Sequence, residues 1–180
     1  LNVIKASVKS GVKKIFYSSS TCMYHERNQM DPDNPNCTEG SAYLREQISE
    51  YDWEKLFSER FYLAANRNYG LDIRIARFHN IFGPEGSWND GREKAPAAFC
   101  RKVAMVDDGG EIEMWGDGEQ TRSFLYVDDF ARGLLEITAR HARAEALNLG
   151  GDDIHSIGDL AQIIGEVVSK TRGEVIEPVF

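Results

Sequence analysis

The chain has 180 residues, of which 42% are hydrophobic, and its 29 acidic side chains outnumber its 21 lysines and arginines to give a formal net charge of -8. This length and apolar content suffice for a buried core and exclude a disordered chain, and the acidic balance disfavours a nucleic-acid-binding protein, which needs a basic face. The 3 cysteines form no Cys-x-x-Cys pair, no apolar run reaches membrane-spanning length and no signal peptide is visible, so we predict a cytoplasmic protein with no nucleic-acid or membrane partner and no metal site.

The first half of the chain is predicted to alternate helix, strand and helix. Residues 1–10 carry apolar side chains at helical spacing and are followed by Gly11, a typical helix stop. Residues 15–17 form a short apolar run that enters a series of serines, which is typical of a buried strand. Residues 25–40 are polar and contain prolines, which predicts an irregular loop. A wide apolar stripe then predicts a long helix over residues 49–68.

The second half continues the alternation. The sequence LDIRIARFHNIFG, residues 71–83, is nearly continuous in apolar side chains and predicts a strand that is covered on both faces. The elements predicted after it are a loop at 83–91, a helix at 95–106, strands at 111–115 and 123–127, a helix at 128–139, a strand at 146–150 and a helix at 157–169. Strands that alternate with helices indicate an α/β fold built on a mainly parallel sheet.

Tyr51 and Lys55 form the first candidate catalytic pair. They stand at positions i and i+4 of the predicted helix, so their side chains lie on one face. A free tyrosine has a pKa of about 10 and is a poor base at neutral pH, but a nearby ammonium favours the phenolate. Such a pair could take a proton from a sugar hydroxyl. The same spacing also occurs by chance in many helices, so an ordinary helix surface remains open.

The serine-rich sequence FYSSSTCMY, residues 16–24, is the second candidate. The predicted strand delivers Ser18, Ser19, Ser20 and Cys22 to its carboxyl end, where ligands bind in doubly wound sheets. A hydroxyl at this end could help to hold the oxygen that a tyrosine deprotonates. The alternative is a serine-rich turn that satisfies its own backbone groups.

The order of these motifs resembles one protein family. FYSSSTCMY is followed by the Tyr51–Lys55 pair, by RFHNIFGP (residues 77–84) and by MWGDGEQTRSF (residues 114–124). This order is similar to that of the extended short-chain dehydrogenase/reductases that act on nucleotide sugars, the NAD-dependent epimerases and dehydratases. GREKAPAAFCRK, residues 91–102, resembles most closely the GDP-mannose 3,5-epimerases within that family. The resemblance covers nearly the whole chain and weakens after residue 151.

The resemblance implies a Rossmann-like, doubly wound parallel sheet and parts of a small substrate-binding domain. Residues 1–82 would form the C-terminal part of the NAD-binding domain, and residues 83–180 would mainly form nucleotide-sugar-binding segments. Residues 125–150 would pack back on the Rossmann sheet. The implied cofactor is NAD, the implied substrate is GDP-mannose or another GDP-sugar, and the implied assembly is a homodimer.

The family pattern assigns roles around the C4 hydroxyl of the sugar. Tyr51 would take the C4 hydroxyl proton while hydride passes to NAD, and Lys55 would hold the nicotinamide ribose and favour the phenolate. Ser19 would also lie against the cofactor, and Ser20 would contact the substrate near C4. Oxidation of C4 would make the protons on C3 and C5 α to a carbonyl, so a carbanion at either carbon would be stabilised as an enolate.

Cys22 and Lys94 would be the acid/base pair that inverts C3 and C5. Inversion removes a proton from one face of the ring and delivers another to the opposite face, so it needs two groups. A thiol with a pKa of about 8.5 and an amine with a pKa of about 10.4 can serve if the site brings both toward neutrality. The other residues implied to line the substrate site are Asn80, Glu93, Ala95, Lys102, Gln120 and Arg122.

Other interpretations of these residues remain open. Cys22 could be a small apolar side chain at the end of a strand, and Lys94 could form a surface pair with Glu93. Another nucleotide-sugar 4-epimerase, 4,6-dehydratase or decarboxylase would share the fold without needing the cysteine–lysine pair. A non-catalytic dimerising fragment is a further alternative, since the helices predicted at 1–10 and 49–68 flank the dimer interface in the family.

Two departures from the family pattern lead to expectations. The family's glycine-rich strand–turn–helix for the NAD pyrophosphate and its C-terminal tail have no counterpart in the sequence, which begins at Leu1. We therefore expect a fragment that binds NAD weakly by itself and has an uncovered sheet edge. In SAYLREQISEYDWEK, residues 41–55, Asp52 follows Tyr51 directly. Its carboxylate would oppose phenolate formation if it faced the site, but position i+1 on a helix predicts that it points away.

Overall fold

The computed structural model describes residues 1–24, 28, 37–43, 49–107, 110–114, 116–173 and 177–179. Most of the loop predicted at 25–40 and the last residue of the strand predicted at 111–115 lie outside the described residues. The described helices are α1 (Asn2–Lys9), α2 (Glu50–Tyr69), α3 (Ala95–Met105), α4 (Val127–Arg140) and α5 (Ile157–Arg172). The described strands are β1 (Lys14–Ser20), β2 (Asp72–Phe78), β3 (Asn80–Phe82), β4 (Glu111–Glu113), β5 (Thr121–Tyr126), β6 (Ala146–Leu149), β7 (Ile154–Ser156) and β8 (Glu177–Val179).

The first of two compact units comprises Leu1–His79 and Asp128–Gly150. Its sheet has the order β1-β2-β6, and both pairings are parallel. The central strand β2 is covered on both faces, as its nearly continuous apolar run predicted, since Ala76 is fully buried on one face and Ile73 and Ile75 are fully buried on the other. Ile4 of α1 and Ala65 of α2 pack against these side chains in one core cluster. The predicted α/β fold with a parallel sheet is confirmed.

The second unit comprises Asn80–Val127 and Gly151–Phe180. In it β3 pairs in parallel with β5, β5 pairs antiparallel with β7, and β4 pairs in parallel with β8. Its core is formed by α3 and α5 against β4, where Phe99, Val103, Ile112, Met114 and Ala161 are buried together. The first turn of α3 contains Pro96, where its missing N–H group costs no helical hydrogen bond.

The single strand predicted at 71–83 is wrong in one respect, because the structure divides it at His79 into β2 and β3. The backbone N–H of His79 still donates to the carbonyl oxygen of Leu149, 3.0 Å away, whereas Asn80–Phe82 pairs with β5 in another sheet. Apolar periodicity is the same on both sides of the break, so the pattern alone does not reveal it. The short strands β7 and β8 are additions that the sequence did not predict.

No helix among the described residues combines the length and the apolar content needed to cross a membrane.

Candidate active site

Helix α2 begins with a capping box that also fixes the neighbour of Tyr51. Ser49 Oγ accepts a hydrogen bond from the Asp52 backbone N–H at 3.2 Å, and Asp52 Oδ2 accepts one from the Ser49 backbone N–H at 3.1 Å. These reciprocal bonds satisfy two N–H groups at the start of the helix. Asp52 is only 6% exposed, so its carboxylate belongs to the helix cap.

Lys55 lies between two tyrosine rings and the end of β1. Its Nζ donates to the carbonyl oxygen of Ser18 at 3.1 Å. The same Nζ lies 5.5 Å from the ring centroid of Tyr51 and 5.4 Å from that of Tyr17, within the range of a cation–π contact. The Tyr51 side chain is 51% exposed, so a ligand can reach it. Sequence spacing placed Tyr51 and Lys55 on one face of α2. The contact with Ser18 shows that this face lies against the end of β1.

Tyr17, the second tyrosine beside Lys55, is unsuited to accept a proton. Burial chiefly raises the pKa of Tyr17 to about 12, and the negative charges of Glu54 and Glu59 act in the same direction. Tyr17 is therefore a neutral phenol at physiological pH. Its ring packs on Tyr62 of α2 with the centroids 4.7 Å apart, which is a structural contact between helix and sheet.

The carboxyl end of β1 carries the predicted serines and Cys22. Ser19 is 3% exposed, and its Oγ has no hydrogen-bond partner among the residues that the structure describes. Ser20 Oγ accepts from the backbone N–H of Cys22 at 3.2 Å and caps the short 3-10 turn Thr21–Met23. Cys22 is exposed, whereas the next residue, Met23, is fully buried. The buried Met23 therefore anchors the turn, and the thiol of Cys22 faces solvent.

Sequence reasoning missed Arg77 and Glu59, which lie beneath these residues. Arg77 is buried in β2 and Glu59 is buried on α2, with no exposed side-chain surface on either. Arg77 Nη2 and Glu59 Oε2 are 2.7 Å apart. The signals in the sequence were an arginine within an apolar strand and a glutamate within the apolar stripe of a helix, since buried charges are rarely present without a partner.

In the second unit Lys94 stands at the start of α3 beside a large cavity. Lys94 is the N-cap residue of α3 and is exposed. The cavity has a volume of about 860 Å³, and Trp88, Met105 and Tyr126 supply much of its apolar lining. The guanidinium-bearing residues Arg92 and Arg101 also line it, and neither was predicted. Among the predicted substrate residues that the structure describes, Lys94 is the one that reaches this cavity.

Glu93 pairs with Arg101. Arg101 Nη2 lies 3.0 Å from Glu93 Oε1, and Arg101 Nε donates to the carbonyl oxygen of Trp88 at 3.0 Å. The pKa of Glu93 is held below its usual value by its own backbone N–H and by Arg101. Its second oxygen, Oε2, is buried without a hydrogen-bond partner among the described residues. Glu93 is therefore an ionised group with acceptor capacity left.

The other predicted substrate residues contact their own unit. Asn80 Nδ2 donates to the Ser123 carbonyl at 3.2 Å, Arg122 Nη1 donates to the Thr121 carbonyl at 2.7 Å, and Lys102 Nζ donates to the Glu113 carbonyl. Ala95 is the first residue of α3 and packs against the second core cluster.

Gln120 is exposed, and its amide lies over Gly116. A Cβ at position 116 would be 2.7 Å from Gln120 Nε2, and Gly116 has a φ of +83°, so glycine is required there.

His79, between β2 and β3, packs against Gly150. A Cβ at Gly150 would lie 2.4 Å from His79 Cγ, so the glycine permits this close approach. Burial lowers the pKa of His79, which is typical of a packed neutral imidazole. Within the described part of the chain, no group of three or more histidine, cysteine or acidic side chains is arranged as metal ligands would be.

Comparison with known proteins extends these observations. Residues 1–150 match the NAD dependent epimerase/dehydratase family. The chain is 43% identical over 163 residues to the GDP-mannose 3,5-epimerase of Arabidopsis thaliana, and the match covers 91% of this chain and 42% of that protein. The chain thus spans less than half the length of this curated relative.

Solved structures share the fold. A GDP-L-fucose synthetase from Naegleria fowleri superposes with a TM-score of 0.82 at 23% identity, which covers 97% of this chain and 55% of the other. The UDP-glucose 4-epimerase from Thermotoga maritima, crystallised with UDP-glucose, superposes with a TM-score of 0.74 at 25% identity and covers 99% and 54%. These likenesses confirm the Rossmann-like architecture. Since the family match spans residues 1–150 of the 180, the chain belongs to the NAD dependent epimerase/dehydratase family.

Proposed function

We propose that the chain carries the acid/base residues of a nucleotide-sugar epimerase that inverts C3 and C5 of GDP-mannose. The observation that carries the proposal is the contact of the Lys55 ammonium with both Tyr51 and the Ser18 carbonyl on β1. The exposed thiol of Cys22 follows the carboxyl end of the same strand, and such folds bind ligands at that end of the sheet. The 43% identity to a GDP-mannose 3,5-epimerase supports the choice of substrate.

The residues at this end of β1 fit a dinucleotide cofactor such as NAD. Lysine has three N–H donors, and the described bond from Lys55 to Ser18 leaves capacity for ribose hydroxyls. The buried Ser19 Oγ offers a further polar group without a partner among the described residues. When bound, NAD would accept a hydride from C4 of the sugar and later return it.

The proposal gives Tyr51 the proton of the C4 hydroxyl. The ammonium of Lys55 lies 5.5 Å from the Tyr51 ring centroid. The Tyr51 side chain is half-exposed, so its phenolic oxygen can meet a bound hydroxyl and take that proton in the reaction. The carboxylate of Asp52, the next residue in the sequence, accepts the Ser49 backbone N–H in the helix cap.

The proposal gives the two proton transfers at C3 and C5 to Cys22 and Lys94. Both side chains are exposed and can meet a ligand. The cavity beside Lys94 has a volume suited to a small ligand, and Lys94, together with Arg92 and Arg101, which are paired with Asp90 and Glu93, offers N–H donors to an anionic one. A nucleotide sugar with its diphosphate is such a ligand, although the protein as a whole is acidic.

Deuterium incorporation tests this function. The natural gene product that contains this sequence is incubated with GDP-mannose and NAD in heavy water, and deuterium at C3 and C5 is measured by NMR. We expect incorporation that Tyr51→Phe, Cys22→Ala and Lys94→Ala each abolish. Cys37→Ala is the matched cysteine control, because burial raises the pKa of the Cys37 thiol and makes it unreactive. Absence of deuterium at both carbons in the parent protein would refute the proposal.

A 4-epimerase, 4,6-dehydratase or decarboxylase remains the second candidate for the same site. It is favoured by the similarity to the UDP-glucose 4-epimerase from Thermotoga maritima and needs Tyr51 and Lys55 without the Cys22–Lys94 pair. In the same experiment a 4-epimerase would leave C3 and C5 unlabelled and invert C4, whereas a dehydratase or decarboxylase would take up deuterium at C5 but not at C3, so label at C3 separates the two candidates. Retention of turnover in Cys22→Ala would favour this candidate.

We also propose that the protein forms a homodimer through α2. Trp53, Phe57 and Phe61 follow one another at helical spacing and are 43%, 55% and 48% exposed. An apolar row of this kind is typical of a helix that packs on another helix. Sedimentation equilibrium should detect a dimer that Phe57→Glu converts to a monomer. The matched control Val167→Glu, at an exposed position of α5, should leave the dimer intact. A dimer without turnover would favour the non-catalytic alternative.

A further inference from the structure

Arg77 and Glu59 form a buried, two-pronged ion pair inside the first unit. Arg77 Nε donates to Glu59 Oε1 at 2.9 Å, and Arg77 Nη2 donates to Glu59 Oε2 at 2.7 Å. Both side chains are fully buried. This fork-to-fork geometry fixes the direction as well as the distance between two groups. It ties the middle of α2 to the central strand β2 in one orientation.

The pair is an unusual choice for a core position if stability alone is considered. Burial lowers the pKa of the Arg77 guanidinium, but the hydrogen bonds and the charge of Glu59 outweigh burial and hold that pKa above its ordinary value. Removing two charges from water is costly, and apolar side chains of the same size often stabilise a core equally well. We therefore expect the pair to serve mainly to fix one relative orientation of α2 and β2.

The guanidinium also holds the segment that follows Cys22. Arg77 Nη1 donates to the Tyr24 hydroxyl at 2.9 Å and to the Glu39 carbonyl at 2.7 Å. The Tyr24 hydroxyl in turn donates to Asn148 Oδ1 at 2.7 Å. Burial chiefly raises the pKa of Tyr24, so the phenol remains a neutral donor. Tyr24 is 2% exposed and fixes the chain just beyond the 3-10 turn.

Tyr43 completes the enclosure of the guanidinium. Arg77 Cζ lies 5.3 Å from the ring centroid of Tyr43 and 5.4 Å from that of Tyr24, so both rings contact the cation. The Tyr43 hydroxyl donates to Glu59 Oε2 at 3.0 Å. Burial and the charge of Glu59 raise the pKa of Tyr43 to about 12, which keeps this donor protonated.

One side chain thus connects the two groups that the proposed chemistry uses in this unit. Glu59 stands one helical turn beyond Lys55 and two beyond Tyr51 on α2, whereas Tyr24 stands two residues beyond Cys22. We propose that Arg77 is a positioning residue that holds the Cys22 turn and the Tyr51–Lys55 face of α2 at one mutual geometry. The catalytic part of this inference rests on the proposed epimerase function, but the geometric part does not.

The informative variant removes both charges together. Arg77→Met alone leaves the Glu59 carboxylate buried without a counter-charge and destabilises the fold, whereas the double substitution Glu59→Leu/Arg77→Met removes both charges. Arg77→Lys keeps a positive charge but lacks the fork. Arg67→Met is the matched control, because Arg67 lies on the same helix and is exposed.

Geometry is measured without reference to activity. A nitroxide is attached to Cys22 in a Cys37→Ser/Cys100→Ser background, and Tyr51 carries fluorine after growth on 3-fluorotyrosine, with Tyr51→Phe assigning its resonance. We expect paramagnetic broadening of the Tyr51 signal to change at least twofold in the double variant and in Arg77→Lys. The urea midpoint of the double variant should stay near that of the parent. Broadening equal to that in Arg67→Met would overturn the inference.

Turnover then separates positioning from a purely structural role. Deuterium exchange at C3 and C5, normalised to folded protein, should slow by about tenfold to a hundredfold in the double variant, because a misplacement of about 1 Å costs on that order. Arg77→Lys should retain part of the rate. An unchanged rate per folded molecule would show that Arg77 serves stability alone. A further outcome is that the parent protein shows no deuterium exchange at C3 and C5 while the double variant still changes the broadening of the Tyr51 signal. That result would refute the epimerase function and support the geometric role of Arg77.

Discussion

The capping box of α2 offers a direct test of how helix stability supports the proposed base. Ser49→Ala removes the hydroxyl that accepts the Asp52 backbone N–H at 3.2 Å. Loss of such a cap costs about 1 kcal/mol, which corresponds to about a fivefold increase in the frayed state of the first turn. Tyr51 lies in that turn, so the fraction of molecules with Tyr51 beside Lys55 should fall with it.

Helix α5 supplies an internal control with the same chemistry. Ser156 Oγ accepts from the Asp159 backbone N–H at 2.9 Å, and Asp159 Oδ2 accepts from the Ser156 N–H at 3.1 Å. Ser156→Ala should therefore cost a similar free energy, again about 1 kcal/mol, and lower the melting temperature by about 2–4 °C in a chain of this size. It lies outside the unit that contains Tyr51, so it controls for a general loss of stability.

Two measurements decide the outcome. Amide hydrogen exchange at Asp52 should accelerate about fivefold in Ser49→Ala, in line with the cost of the cap, and stay unchanged in Ser156→Ala. Deuterium incorporation at C3 and C5 of GDP-mannose should slow in Ser49→Ala and not in Ser156→Ala. Equal slowing in both variants would refute the reasoning, since it would attribute the effect to global stability. So would faster amide exchange at Asp52 with an unchanged rate of incorporation.

Three further predictions concern Lys55, Glu93 and Gly150. Lys55→Met should slow incorporation at C3 and C5 by about a hundredfold or more with little change in the urea midpoint; full activity would exclude Lys55 from the chemistry. The bonds that hold the pKa of Glu93 below its usual value contribute stability that is fully present above about pH 4.3, the unfolded-state pKa, and that is lost as the pH falls through the lower folded-state pKa. The urea midpoint should therefore depend less on pH below about 4.3 in Glu93→Gln than in the parent. The same pH dependence of the urea midpoint in both proteins would contradict this. Gly150→Ala should lose about 1–3 kcal/mol in urea unfolding, because the added Cβ would lie 2.4 Å from His79 Cγ, and unchanged stability would contradict that contact.

Elements with a strong local signal were predictable from sequence. The apolar stripe placed α2 within one residue of its observed start and end, Glu50–Tyr69. The glycine expected to end it, Gly70, adopts the left-handed conformation with a φ of +66°, in which glycine has no steric penalty. The near-continuous apolar run likewise predicted β2 as a strand covered on both faces. Caps, stops and periodicity are local properties, so a single sequence contains them.

Elements defined by distant partners were not predictable. The break at His79 depends on Leu149 at the end of β6 and on the pairing of Asn80 with Phe124. Nothing within residues 71–83 distinguishes the two strands, because each is apolar and extended. Strand β7 is similarly defined by its antiparallel partner β5. Such choices are made by long-range pairing, which local propensity does not encode.

In the candidate site, too, local features were predictable from the sequence and long-range contacts were not. Helical spacing placed Tyr51 and Lys55 on one face. The bond from Lys55 to Ser18, however, also requires α2 to pack at one position along β1. That position of α2 along the sheet is fixed by Arg77 and Glu59, which are 18 positions apart in the sequence. Spacing arguments reach only one or two helical turns, so a single sequence predicted the candidate reacting groups and left the residues that support them undetected.

The acidic neighbour of Tyr51 shows how local geometry resolves an apparent electrostatic conflict. A carboxylate near a phenol disfavours the phenolate, so Asp52 appeared to oppose the charge of Lys55. In the structure the same carboxylate accepts the Ser49 N–H and is only 6% exposed, on the side of the helix that the cap requires. Lys55 instead lies directly over the Tyr51 ring. Because the carboxylate is committed to the backbone N–H of Ser49, the departure from the family pattern at Asp52 strengthens the start of α2 and leaves the contact between the Lys55 ammonium and the Tyr51 ring in place.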